Sequence, residues 1–269
     1  MVEFGAFRRG PGSVYRRLKS LELLVTRDRS GVRRFLFDPT FHISTGQRLR
    51  LIADFIRVTN AVRGYHALHE ILTVAAAILR RKSRSNLTVV ECGVAFGAST
   101  AKLSLAVRLA GGRLIAFDSF RGIPENDEVH ESLDGRRVVF RKGAFTGRIR
   151  AVQRIVARHG APEVTTLVKG PFAETLPHFR DEVDVAVLDV DLLASTRTCI
   201  RHLFPRLRPG GVLFSADAHL RSTVSLLADP QFWEGELGFS LPLVAGLGQS
   251  KLVSIPKTAP VMGRPELLL

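Results

Sequence analysis

Val89-Val90-Glu91-Cys92-Gly93-Val94-Ala95-Phe96-Gly97-Ala98-Ser99 runs from apolar residues ending on an acid, through a glycine loop, into the first turn of a helix. Gly93 and Gly97 allow close backbone approach, and the amides at the start of the helix beyond can receive a carboxylate. The loop lacks the Gly-x-Gly-x-x-Gly spacing and the Lys-Ser/Thr pair of a phosphate cradle, so it points away from nucleotide phosphates.

Downstream, short apolar runs alternate with helical segments, the rhythm of a parallel sheet with crossover helices. Strands are expected at Leu87–Cys92, Arg113–Phe117, Val164–Val168, Val183–Leu188 and Val212–Ser215. Helices are expected at Ala98–Leu109, Ile149–Arg158, Ser195–Leu207 and Thr223–Leu227. Two further runs, Leu241–Ala245 and Lys251–Ile255, read as an antiparallel hairpin at the sheet edge. The fold class is therefore α/β, a doubly wound, mostly parallel, seven-stranded Rossmann-like sheet. Ligands bind such sheets beyond the carboxyl ends of the strands, where strand order reverses.

Upstream, Gln47–Lys82 carries three-to-four spacing on both sides of a break at Gly64, while Gly10-Pro11-Gly12 and Asp38-Pro39 mark turns around short amphipathic stretches with room for one helix. Residues 1–85 form a basic arm and helical lid, residues 86–258 the main domain and residues 259–269 a tail. The arm holds 17 Lys/Arg against six Asp/Glu, most of the net charge of +14. These arginines come in scattered pairs without interleaved aromatics, which argues against nucleic acid and for solvated helix faces and contacts between copies in a homo-oligomer, with recruitment of an acidic small molecule or a membrane surface as the second reading. The longest nearly apolar run, Ile71–Leu79, is far short of the ~20 residues of a membrane span, and no signal-peptide pattern opens the chain, so a cytoplasmic location is expected. Cys92 and Cys199 fall in apolar segments and read as inert buried thiols.

The second strand ends at Asp118-Ser119, 27 residues after Glu91, where an acid in such folds receives ribose hydroxyls. A nicotinamide dinucleotide needs the missing glycines, whereas S-adenosylmethionine has an amino-acid tail suited to Glu91, Gly93 and Ser99. Later strands end in Leu188-Asp189-Val190-Asp191 and Ser215-Ala216-Asp217-Ala218-His219. Adjacent strand ends lie roughly 5 Å apart, so Asp189, Asp191 and Asp217 should crowd one spot and call for a cation such as Mg²⁺.

With Phe117–Pro124, Lys169–Pro177 and Pro209-Gly210-Gly211, these motifs make the chain resemble the macrocin O-methyltransferase (TylF-like) family of class I S-adenosylmethionine-dependent methyltransferases, across about residues 65–257. The resemblance implies Mg²⁺-assisted methylation of a hydroxyl on a small metabolite of sugar or natural-product type. Asp189 and Asp217 are then metal ligands and Asp191 the general base. Glu91, Gly93, Ser99, Asp118, Ser119, Gly170 and Phe172 are cofactor-side residues, Gly170 and Phe172 packing around adenine. The chain departs from the family at Val190, where glycine is usual, at Leu193-Ala194, where Tyr-Glu is usual, and at Ala216, which leaves the metal site one carboxylate short. His219 is a candidate substitute ligand or base, or an ordinary loop histidine, and His66 and His69 are candidates for the acceptor side. Two rival readings remain: a non-catalytic S-adenosylmethionine-binding protein with a decayed metal site, and a nucleic-acid methyltransferase using the basic arm.

Overall fold

The computed structural model describes residues 28–81 and 86–261. Three helices come first: α1 (Arg29–Phe37), α2 (Thr45–Ala61) and α3 (Leu68–Leu79). Ser44 starts α2 with a capping box, its hydroxyl accepting from the Gln47 amide while the Gln47 side chain accepts from the Ser44 amide. The arm's first 27 residues lie outside the described residues.

The main unit then alternates β1 (Thr88–Cys92), α4 (Ala98–Ala110), β2 (Arg113–Asp118), a small antiparallel hairpin of β3 (His130–Glu131) and β4 (Arg137–Val138), α5 (Ile149–His159), β5 (Thr165–Lys169), α6 (Phe172–Thr175), β6 (Val183–Leu188), α7 (Leu193–Leu203), β7 (Leu207–Ser215), α8 (Arg221–Leu227) and β8 (Val253–Pro256). A π-helical turn, Gln231–Leu237, precedes β8 and buries Trp233, whose indole N–H donates to the Leu227 carbonyl at 2.9 Å.

The main sheet is doubly wound, in the order β5-β2-β1-β6-β7-β8, parallel throughout except for antiparallel β8. Strand order reverses between β1 and β6, and the expected crevice opens there. The expected fold class holds, with one correction: the main sheet pairs six strands among the described residues, not seven. Of the expected edge hairpin only Val253–Pro256 is a strand, and the Leu241–Ala245 run touches it through a single Ala245–Ser254 bridge. Pro242 has no amide to donate, and Gly246 and Gly248 turn away at positive φ, so that run cannot form a ladder. The helix expected to reach Leu207 ends at Leu203, because Leu207 already pairs with Val183 in the sheet.

Apolar side chains fill both faces of the sheet. Ile71, Ala75 and Ile78 of α3 share a core with Val89, Leu103, Leu114, Val185 and Phe214, so the arm's last helix covers the sheet as an integral layer. On the opposite face Val90, Ile115, Ala186 and Leu213 pack with Ile200, Phe204 and Trp233. Both cysteines are free and buried there. No helix among the described residues is long and apolar enough to cross a membrane.

Candidate active site

A cavity of about 1050 Å³ opens over the carboxyl ends of β1, β2 and β6. It sits at the upper end of the ~300–1,000 Å³ range of small-molecule sites, which leaves room for two ligands side by side. Divided by the strands that carry them, a first half comes from the β1 and β2 ends (Gly93, Val94, Ser99, Asp118, Ser119) and a second from the β6 end and beyond (Asp189, Asp191, His219), with Tyr65, Phe140, Phe145 and Phe172 completing the wall.

On the first half the strand-end loop is pinned by Asp118. Its Oδ2 accepts from the amides of Val94 (2.7 Å) and Ala95 (3.2 Å), and its Oδ1 from the Phe120 amide (2.6 Å). The acid expected to clamp a ribose thus also holds the glycine loop, with lone pairs left over because a carboxylate offers about four acceptor sites. Gly93 has φ +91°, and a Cβ there would lie 2.0 Å from the Asp189 carbonyl oxygen. Its freedom brings β1 and β6 together at the mouth of the site. Gly170 lies outside the cavity wall and turns the chain after β5, its amide donating to the Asp118 carbonyl at 3.0 Å.

Glu91 is 1% exposed, and neither carboxylate oxygen has a hydrogen-bond partner. Burial lifts its pKa to about 7, against the opposing pull of the Ser99 and Thr100 hydroxyls. An orphaned buried acid at the end of β1 suits the amino group of a bound amino acid. Glu91 itself is not in the cavity wall, so the wall residues that suit S-adenosylmethionine are Asp118 and the loop carrying Gly93, Val94 and Ser99.

On the second half, Asp191 stands at φ +62°, in the left-handed region. Asp217 stabilises that turn: its Oδ2 accepts from the amides of Val190 (2.9 Å) and Asp191 (3.1 Å), while its Oδ1 is buried without a partner. Burial and then the neighbouring acids raise the pKa of both Asp191 and Asp217. His66 Nε2 lies 3.6 Å from Asp189 Oδ2, whereas His69 points away and pairs with Asp28 at 2.6 Å. His219 lines the cavity, its pKa lowered by burial and by Lys251.

These residues do not fit a divalent metal. Among the described residues no three His, Cys, Asp or Glu side chains are grouped to hold an ion. Asp217 is fully buried, absent from the cavity wall and committed on one oxygen to two amides. Ala216, also fully buried, brings no carboxylate where a second acid would stand.

Sequence reasoning missed three contributors. Lys251 enters the cavity wall from the segment before β8, with its Nζ 3.5 Å from the Tyr65 carbonyl oxygen. Glu128 reaches across from the loop before β3 to accept from the first amides of α7, Leu193 (2.7 Å) and Ala194 (3.0 Å). An aromatic wall forms where Tyr65 meets Phe145 edge-on at 5.1 Å and carries the Arg63 guanidinium over its ring at 5.3 Å. No local pattern marked any of them.

Comparison with known proteins agrees with this geometry. Residues 90–218 match the family model described as a methyltransferase domain. A curated relative, the 8-demethyl-8-(2,3-dimethoxy-alpha-L-rhamnosyl)-tetracenomycin-C 4'-O-methyltransferase of Streptomyces olivaceus, is 29% identical over 161 residues, covering 58% of this chain. The chain spans 60% of that relative's length. The methyltransferase fold is shared with the O-methyltransferase NovP (TM-score 0.55, 18% identity, 76% of this chain and 80% of that one). It is shared equally with the calicheamicin methyltransferase CalS11 (TM-score 0.55, 16% identity, 93% and 98%). The family resemblance read from the motifs is borne out by these matches.

Proposed function

We propose that the chain is an S-adenosylmethionine-dependent O-methyltransferase acting on a hydroxyl of a small natural-product or sugar-type acceptor. The observation that carries this reading is the single cavity joining the Gly93–Ser99 loop and Asp118 to Asp189, Asp191 and His219. The relatives point the same way, one being a 4'-O-methyltransferase of a rhamnosylated tetracenomycin.

S-adenosylmethionine supplies a methyl group on a sulfonium and leaves as a thioether once that methyl has passed to the acceptor oxygen. Asp118 orients the ribose while holding the loop, the loop carrying Gly93 and Ser99 receives the amino-acid tail, and Phe172 packs against the adenine. Asp191 takes the acceptor's hydroxyl proton. A carboxylate with a raised pKa suits that task, since a base works best when its pKa lies near the operating pH. His219, with a lowered pKa, is a neutral hydrogen-bond partner beside it. Tyr65, Phe140 and Phe145 pack the acceptor and exclude water. The Mg²⁺ expected from the sequence plays no part in this scheme, because the donor set does not fit it.

Calorimetry with S-adenosylmethionine tests the cofactor: Asp118→Ala should weaken binding by about 1–3 kcal/mol, the scale of an unpaired hydrogen-bonding group. Release of S-adenosylhomocysteine is then followed over a panel of hydroxylated glycosides and polyketides. Binding without release on any acceptor would favour the non-catalytic reading, and no binding would overturn the family-based function.

A further inference from the structure

Acids crowded at the ends of neighbouring strands need a compensating charge. Asp189 and Asp191 line the cavity, and Asp217 lies buried behind their turn with one oxygen unpartnered. His66 Nε2 stands 3.6 Å from Asp189 Oδ2, and a permanent cation enters the same wall from the far end of the chain. Lys251 lines the same wall as Asp189, Asp191 and His219. Its backbone is fixed beside the acids, because the Ala218 amide donates to the Lys251 carbonyl at 3.1 Å, one residue from Asp217. Its Nζ donates to the Tyr65 carbonyl at 3.5 Å. The wall also holds Arg63, Arg136 and Arg137; Arg63 is stacked on Tyr65 and Phe96, and Arg136 pairs with Asp134.

We propose that the Lys251 ammonium is the resident cation of the Asp189–Asp191–Asp217 cluster, taking the electrostatic place of a divalent metal, so that methyl transfer in this site is metal-independent. The proposal rests on the methyltransferase reading for its catalytic half alone. Burial disfavours a charged lysine, but the attraction of Asp189, Glu70, Asp217 and Asp191 outweighs it and keeps Lys251 protonated. A tethered ammonium in the same wall also disfavours a second cation, since like charges repel in a partly dry site. Within the same cavity that charge offsets the negative charge that develops on an acceptor as Asp191 takes its proton. The loss of a carboxylate at Ala216 then follows naturally, one fixed positive charge needing fewer acids than a divalent ion. Lys251 is here a positioning and charge-balancing residue.

The test needs no acceptor. The full chain, treated with EDTA and dialysed, is titrated with Mn²⁺ and free Mn²⁺ is read by electron paramagnetic resonance. Wild type should leave the Mn²⁺ signal undiminished. Lys251→Met, which keeps the apolar stem and removes the charge, should bind Mn²⁺ about tenfold tighter or more, and Lys251→Arg should behave as wild type. Tight Mn²⁺ binding by wild type that is lost in Asp189→Asn or Asp217→Asn would overturn the proposal, as would a folded Lys251→Met that gains no affinity. If Lys251→Met fails to fold, the wild-type titration and Lys251→Arg decide. Once an acceptor is found, turnover of wild type should be unchanged by EDTA, and EDTA-sensitive turnover restored by Mg²⁺ would overturn it too. S-adenosylmethionine calorimetry on the same samples separates the readings: absent cofactor binding removes the methyltransferase function and leaves the Mn²⁺ result standing.

Discussion

At the scale of the residue, Asp191 combines a left-handed backbone, an amide bonded to Asp217 and a carboxyl facing the cavity. A non-glycine residue adopts that backbone at a cost of about 1–2 kcal/mol, so the turn persists because its surroundings hold it. Burial, then Asp217 and Asp189, raises the Asp191 pKa, while Lys251 pulls against the rise. A base works only when deprotonated, so the rate should climb with pH through a limb lying well above the usual carboxylate range, and not near pH 4. Asp191→Asn should lower turnover by about 10²–10⁴ while leaving cofactor affinity nearly intact. Measuring the pH dependence of kcat for wild type and the variant checks both, and an acid limb at the ordinary carboxylate pKa would remove Asp191 from the role.

At the scale of the element, α7 begins at Leu193 with no side-chain cap from its own N-cap residue, Leu192. Glu128 supplies the acceptor from a loop 65 residues earlier, and its negative charge complements the helix N-terminus. The same helix start carries Ala194 and Ser195 in the cavity wall, so the cap fixes one side of the acceptor space. Glu128→Ala should cost about 1 kcal/mol of stability, read from denaturant midpoints, and raise KM for the acceptor more than it lowers kcat. Unchanged stability would show that water caps the helix equally well. The arm gives a second case: Arg48, 8% exposed, donates to the carbonyls of Leu36, Asp38, Phe41 and Ile43. Part of the basic character that the sequence assigned to helix faces and contacts between copies is spent inside the arm, satisfying the turn between α1 and α2.

At the scale of the whole molecule, Glu91 couples folding to pH. Its pKa rises from 4.5 to about 7 through burial, so the folded chain holds a proton that the unfolded chain has already released across that window. The stability this contributes is fully present below about 4.5 and is lost as pH rises through about 7. The loss amounts to about 3 kcal/mol for a fully buried group. Glu91→Gln cannot titrate, so the stability difference between variant and wild type should grow by about that amount between the two pH values. Urea unfolding at several pH values measures it, and a constant difference would mean that Glu91 keeps an ordinary pKa.

What the sequence determined by itself was the sheet, its helices and the strand-end acids. These follow from periods of two and 3.6 residues and from acids and glycines a few positions apart, all local along the chain. Asp118, Asp189, Asp191 and His219 were legible for that reason, because a strand end reads directly as a site in a doubly wound sheet. The tertiary structure alone decided which charges answer them. Glu128 reaches α7 across 65 residues, Tyr65 and Phe145 meet across 80, and Lys251 comes to the acids from the edge of the sheet after a run that was expected to pair as a strand and does not. Counting cations near Asp189 in sequence pointed to a metal ion, whereas folding brings an ammonium to the same wall. Charge balance is settled by distance in space, which the chain's order does not encode.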